Sequence, residues 1–190
     1  MKTDEKKLIE KAISGNERAF SKLIRKYDRK ILNLLLNILK NEADASDAYQ
    51  DTFIKVHKYL PKFKQDSSFY TWVYRIAINT AYTFHQKRKS VTGVFLAEDF
   101  STMEHIFKSG DSGATDDIED IGERSRESIV KEQVDKLSFQ QKSVVYLKSY
   151  EGKKFKEIAE ILSLNIGTVK KYFHRAVQNI KKSIDDESQL

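Results

Sequence analysis

Apolar residues return at intervals of three and four along most of this sequence, and runs that alternate apolar with polar are few. One proline, Pro61, and seven glycines interrupt its 190 residues. The combination predicts an all-α fold, because the period matches helices with one buried face and little in the chain breaks a helix once begun. The pattern is fullest from Phe155 to Lys182. Phe155, Ile158, Ala159, Ile161 and Leu162 form one apolar stripe, Ser163 and Leu164 a tight turn, and Ile166, Val169, Phe173, Ala176 and Ile180 a second stripe. Two helices meeting there at a sharp angle leave room for no more than the methyl of Ala159. Asn165 is an N-cap for the second helix. Its outer face carries Thr168, Lys170, Lys171, His174 and Arg175, which offers hydrogen bonders to base edges and cations to phosphates, as a helix in the major groove requires. A helix-turn-helix is expected, although basic helical hairpins with a merely solvated outer face share the pattern.

Charge divides the chain in three. Residues 1–93 carry 19 lysines and arginines against 10 acids, residues 94–128 carry 3 against 10, and residues 129–190 carry 12 against 8. Two basic modules around an acidic one suggest two contacts with a polyanion and a connection that stays off it. The acidic stretch has no sustained period, includes Gly110, Gly113 and Gly122, and concentrates acid in Asp116–Asp117–Ile118–Glu119–Asp120. It is expected to be a flexible linker between two small helical domains, 1–93 and 129–190.

In the first domain, Leu8, Ile9, Ala12 and Ile13 predict a short helix ending at Ser14–Gly15, with Asn16 capping the next. Ala19 to Leu39 keeps its spacing throughout and predicts one long core helix. After a break at Lys40–Asn41–Glu42, a helix from Asp44 toward Pro61 turns Ala48, Thr52, Val56 and Tyr59 inward. Asp44, Asp47, Gln50, Asp51 and Lys55 lie on its outer side. Residues 62–68 form a polar loop, with Asp66 or Ser67 the N-cap of a helix whose core stripe is Phe69, Val73, Ile76 and Thr80. A second stripe, Trp72, Arg75, Asn79, Tyr82 and Gln86, mixes aromatic and polar groups. Such a stripe suits single-stranded nucleic acid, with rings for stacking and amides or guanidinium for edges and phosphates, while Trp72 and Tyr82 also fit as half-buried packing residues. The helix ends in basic residues, including Lys87 and Arg88. In the last domain, Ile129 to Leu137 precedes a helix over Phe139–Ser149 capped by Ser138, and Glu151–Gly152 turns into the helix-turn-helix.

The absence of cysteine excludes disulfides, thiolate zinc sites and cysteine catalysis, and fits a reducing compartment such as the cytoplasm. No run of apolar residues is long enough for a bilayer, and the N-terminus lacks the apolar core of a signal peptide. His57, His85, His105 and His174 lie far apart, without metal-ligand spacing, and no glycine loop cradles a phosphate. No metal, cofactor, small-molecule substrate or catalytic residue is therefore expected.

Taken together, Asp44 to Phe53, Ser68 to Ala81, Glu157–Ile158–Ala159 and Gly167–Thr168–Val169–Lys170 resemble the extracytoplasmic-function (ECF) sigma factors of bacterial RNA polymerase. The resemblance covers both domains in the same order. It implies a protein that binds core RNA polymerase, recognises two promoter elements and helps melt the proximal one. By position, Asp44, Asp47, Gln50, Asp51 and Phe53 would dock on the clamp coiled coil of the largest polymerase subunit. Phe63, Lys64, Gln65, Asp66, Ser67 and Ser68, with Asn79, would form the pocket for a base flipped from the proximal (minus-ten) element, and Trp72, Arg75, Tyr82, Lys87 and Arg88 would extend that DNA surface. Asn165, Thr168, Lys170, Lys171, His174 and Arg175 would read the distal (minus-thirty-five) element. The acidic linker would thread a channel built for RNA, and family analogy adds an anti-sigma factor as a partner. Ser163 departs from the family's usual glycine, Lys171 and Tyr172 depart from its usual small or basic residues, and the linker is longer than is typical.

A dimeric helix-turn-helix repressor is the alternative expectation. It would require a self-complementary face or a ligand pocket in the first domain.

Overall fold

The structure is a computed structural model that describes residues 2–89 and 126–187. The chain divides into two compact units, residues 1–94 and 95–190. The expected acidic linker lies outside the described residues up to residue 125, and Arg126 already begins a helix. Every regular element among the described residues is helical.

The first unit contains α1 (Lys2–Ile13), α2 (Glu17–Ile24), α3 (Asp28–Leu39), α4 (Glu42–Tyr59) and α5 (Phe69–Lys89). Helix α1 ends as expected at Gly15, whose φ of 87° requires the left-handed region. Asn16 then accepts a hydrogen bond from the Ala19 N–H at 2.9 Å. Ala19 to Leu39, expected as one helix, is two. At Lys26 and Tyr27 the backbone N–H groups donate to carbonyls three residues back, those of Leu23 at 3.2 Å and Ile24 at 2.8 Å. The bend delivers Tyr27 into the core, its ring 5.4 Å from that of Phe69 and its hydroxyl donating to Glu5 at 2.7 Å. Apolar spacing is the same on both sides of the bend, so periodicity alone could not reveal it.

Lys40 closes α3 in the left-handed region, and Asn41 caps α4 by accepting from the Asp44 N–H at 2.8 Å. Ala45, Ala48, Thr52 and Val56 face inward, and the Thr52 hydroxyl donates to the Ala48 carbonyl at 2.6 Å. Tyr59, expected inward, is only half-buried. Helices α3 and α4 pack on α5, whose stripe Phe69, Val73, Ile76 and Thr80 is buried together with Tyr74, Ala77, Ile78 and Ala81. Helix α5 is thus enclosed on more than one side, and each fully buried Ile or Leu in this core contributes about 1.5–3 kcal/mol. Its cap is Ser68, which accepts from the Thr71 N–H at 3.0 Å, and not Asp66 or Ser67. The left-handed turn at Gln65 (φ 61°) lets the chain run on to Ser68 before the helix begins.

The second unit contains α6 (Arg126–Asp135), α7 (Phe139–Val145), a π-turn (Tyr146–Tyr150), α8 (Phe155–Leu162) and α9 (Ile166–Glu187). Helix α6 starts three residues before the expected Ile129. Ser138 caps α7 through a reciprocal pair: its hydroxyl accepts from the Gln141 N–H at 3.3 Å and its own N–H donates to Gln141 Oε1 at 3.1 Å. The α-helix expected to reach Ser149 ends at Val145 and widens into the π-turn before Gly152, at φ 63°. In α8, Ile158, Ala159, Ile161 and Leu162 of the sequence stripe are buried, and Phe155, the first residue of the helix, is half-buried. Ser163 follows in the left-handed region (φ 51°, ψ 41°), and the Leu164 N–H returns to the Ala159 carbonyl at 2.9 Å. Asn165 Oδ1 accepts from the Thr168 N–H at 2.7 Å and opens α9. Helix α9 packs on α6, α7 and α8, with Val169 and Ala176 buried and Phe173 and Ile180 half-buried. Ile166, expected in that buried stripe, is 42% exposed. It is the first residue of α9.

Candidate nucleic-acid interface

Three surfaces carry the residues singled out in the sequence. The first is the outer side of α4, where Asp47 and Gln50 are exposed and Asp44, Asp51 and Phe53 half-buried. The Phe53 ring meets Tyr49 edge-on at 4.9 Å, and the Tyr49 hydroxyl donates to Asp28. Burial, reinforced by that hydrogen bond, pushes the Tyr49 phenol up to about 12. Lys55 turns away from the outer side, its Nζ 3.4 Å from Thr80 Oγ1 on α5. Sequence reasoning missed Ile54, which is 64% exposed. It lies seven residues after Asp47 and four after Gln50, so helical spacing alone places it on the same outer face.

The second surface joins the loop after α4 to one side of α5. Phe63 stacks on Trp72, with centroids 4.7 Å apart and planes inclined by 29°, and packs against Phe69 at 5.7 Å. Lys64, Gln65, Asp66 and Ser68 are exposed at the loop rim, and Ser67 is half-buried. Trp72, Arg75 and Asn79 follow one another along a half-exposed side of α5, and Lys87 and Arg88 are exposed cations near the C-terminal end of the same helix. Asn79 Oδ1 is a buried atom with no hydrogen-bond partner among the described residues. An unpaired amide oxygen of this kind is costly unless a ligand supplies the donor.

Two residues expected on the DNA surface are largely covered. Phe63 is 8% exposed and Tyr82 9%. Phe63 supports the loop by stacking under Trp72, and the Tyr82 hydroxyl is engaged by Gln86, so both act by packing in the free chain. Arg88 Nη1 lies 3.6 Å from Asp44 Oδ2, which joins a member of the first surface to one of the second.

The third surface is the leading half of α9. Lys170, Lys171, His174 and Arg175 are exposed, and Thr168 is half-buried. Asn165 is exposed too, but its side-chain oxygen is committed to the cap. Tyr172 packs toward the unit, and burial raises its phenol pKa against the opposing pull of Arg175. Beside these cations lie two exposed apolar side chains, Ile166, which the sequence assigns to the buried stripe, and Val177, which is 44% exposed and which sequence reasoning missed. No cluster of three or more potential metal ligands occurs among the described residues, and no described helix is long and apolar enough to cross a membrane.

Residues 23–91 match the family described as Sigma-70 region 2, and residues 128–180 match Sigma-70, region 4. The RNA polymerase sigma-H factor of Pseudomonas aeruginosa is 32% identical over 184 residues, covering 95% of this chain and 93% of that protein. The chain belongs to the sigma-70 family, as an ECF sigma factor. The ECF RNA polymerase sigma-E factor of Haemophilus influenzae is 31% identical over 179 residues, 93% of each chain. Among solved structures, CnrH in complex with the cytosolic domain of CnrY has the same fold, with a TM-score of 0.65 and 21% identity over 94% of this chain and 96% of that one. The sigma factor RpoE of Bartonella quintana, solved with the anti-sigma factor NepR, gives 0.61 and 18% over 87% and 96%. This sigma factor is therefore an alternative specificity subunit that directs RNA polymerase to promoters at initiation, and the repressor alternative is not favoured. Its partners are core RNA polymerase and promoter DNA.

Proposed function

We propose that the three surfaces divide the work of initiation. The outer side of α4, with Asp47 and Gln50 exposed and Asp44, Asp51 and Phe53 at its border, docks on the clamp coiled coil of the largest polymerase subunit. The Phe63–Ser68 loop and the Trp72, Arg75 and Asn79 side of α5 capture a base flipped from the proximal element, with Lys87 and Arg88 on adjacent phosphates. Helix α9 enters the major groove of the distal element and presents Thr168, Lys170, Lys171, His174 and Arg175. The acidic stretch 94–128 has the charge sign of RNA and is the proposed occupant of the RNA channel. The chain performs no bond chemistry of its own. It acts in the cytoplasm beside polymerase and is restrained by an anti-sigma factor, as the RpoE protein of Bartonella quintana is bound by NepR.

The observation that carries the base-capture step is the Asn79 oxygen. It is a buried acceptor without a donor, on the same side of α5 as Trp72 and two turns beyond it. An unstacked base that lies against an aromatic edge and displaces the groups covering this oxygen can donate an exocyclic amine to it, which offsets part of the cost of leaving the duplex. Asn79→Ala should leave core binding unchanged and slow promoter opening by about tenfold, equivalent to one hydrogen bond of about 1–2 kcal/mol. Permanganate reactivity of proximal-element thymines measures the opening. Full opening by this variant would rule out the step.

A further inference from the structure

We propose that Ile166 is a specificity-determining residue of this sigma factor and senses the 5-methyl group of a thymine in the distal element. The inference rests on the assignment of α9 as the recognition helix. Ile166 is the first residue of α9, directly after the cap at Asn165, whose side chain holds the Thr168 N–H at 2.7 Å. The first turn is therefore fixed, and the direction of its side chains with it. The buried line of α9 runs through Val169 and Ala176, both 0% exposed, while Ile166 is 42% exposed and lies one turn before the exposed Lys170. It is only partly covered and stands one turn before the first lysine of the cationic face.

Gly167 adds a second observation. A Cβ at this position would come within 3.2 Å of Asn165 Oδ1, so glycine keeps the cap oxygen clear and leaves the first turn slim beside Ile166. A slim, capped first turn can approach base edges closely, and its single large side chain is a branched hydrocarbon. Isolated apolar residues on a protein surface are common and need no special role. What distinguishes Ile166 is its position, because the leading residues of a recognition helix meet base edges. The apolar group that those edges display in the major groove is the thymine methyl. A polar side chain there would seek a donor or acceptor. An isoleucine gains only by covering hydrocarbon.

The test uses the full chain bound to core polymerase and a pool of duplexes randomised across the distal element, with wild type, Ile166→Val, Ile166→Ala and Lys170→Ala compared. Wild type and Ile166→Val should enrich thymine at one shared position, and Ile166→Ala should lose that enrichment while keeping the rest of the motif. Replacing the selected thymidine by deoxyuridine, which removes only the methyl, should weaken wild-type binding about three- to tenfold and leave Ile166→Ala unchanged. Circular dichroism should be identical among the variants, because the side chain is exposed at a helix end. Thymine enrichment that survives in Ile166→Ala, or equal losses with deoxyuridine in both proteins, would overturn the proposal while leaving α9 as the reader. No enriched distal motif in wild type, together with no effect of Lys170→Ala, would overturn the recognition-helix assignment and this proposal with it.

Discussion

Ser163→Gly should stabilise the second unit. Ser163 is the hinge between α8 and α9 and holds φ 51° and ψ 41°. For a residue with a Cβ that conformation costs about 1–2 kcal/mol, and glycine removes the cost. Glycine also widens the unfolded ensemble, which returns about 0.4–1 kcal/mol. The Ser163 hydroxyl makes no hydrogen bond among the described residues, and the hinge bond from Leu164 N–H to the Ala159 carbonyl at 2.9 Å uses backbone alone, so the exchange loses no hydrogen bond. The net gain is about 0.5–1 kcal/mol, or a rise of about 2–8 °C in the melting temperature of a unit this small. The sequence supplies its own internal control. Trp72 is the single tryptophan and lies in the first unit, so its fluorescence follows that unit, whereas far-UV circular dichroism follows both. Ser163→Gly should shift a dichroism transition upward and leave the tryptophan transition unchanged. Lys40→Gly relieves the corresponding position between α3 and α4, at φ 55°, and should move the tryptophan transition instead. A Ser163→Gly chain that melts at or below the wild-type temperature would refute the reasoning. The hinge conformation would then be cost-free for serine, or stabilised by something other than backbone geometry.

Asp47→Ala combined with Gln50→Ala should weaken the complex with core polymerase about tenfold or more on size-exclusion titration, with the melting temperature unchanged because both side chains are exposed. Lys170→Ala, if its ammonium meets a phosphate, should reduce distal-element binding across all sequences and lower the salt slope by about one unit; an altered base preference would make Lys170 a base reader instead. The phenols of Tyr27 and Tyr49 are both raised by burial and by hydrogen bonds to Glu5 and Asp28, and that of Tyr49 reaches about 12. A folded pKa above the unfolded value of about 10 means stability that is complete below pH 10 and is lost as pH rises from there through the folded pKa. Urea melts followed by Trp72 fluorescence at about pH 9 and pH 11 should show that loss, and Tyr27→Phe with Tyr49→Phe should reduce it. An equal loss in the double variant would show that other groups set the alkaline limit.

The candidate surfaces were legible in uneven measure. The polar side of α4 and the cationic side of α9 follow from helical spacing, and Asp47, Gln50, Lys170, Lys171, His174 and Arg175 all emerge exposed. The aromatic stripe of α5 did not resolve in the same way. Trp72 and Tyr82 have similar spacing and similar chemistry, yet Trp72 keeps part of its surface while Tyr82 is 9% exposed. Ile54 carries no signal of its exposure in the sequence, and Ile166 is assigned to the core and emerges partly exposed. An apolar residue at a helical interval is assigned to the core unless the element that fails to cover it is known.

The sequence by itself determined the all-helical class, the caps at Asn16, Ser138 and Asn165, and the hinge between α8 and α9. Those features depend on residues a few positions apart: a side-chain oxygen reaching an N–H three residues on at Asn16, Ser138 and Asn165, and the closely spaced apolar stripe Ile158, Ala159, Ile161 and Leu162, which is buried. Only the tertiary structure decided the bend at Tyr27, the stacking of Phe63 beneath Trp72, the ion pair of Asp44 with Arg88 and the exposure of Ile54 and Ile166. Each of these depends on which distant segment packs against the residue. A helical period states which side of a helix a residue occupies, but not how far the neighbouring helices extend over it.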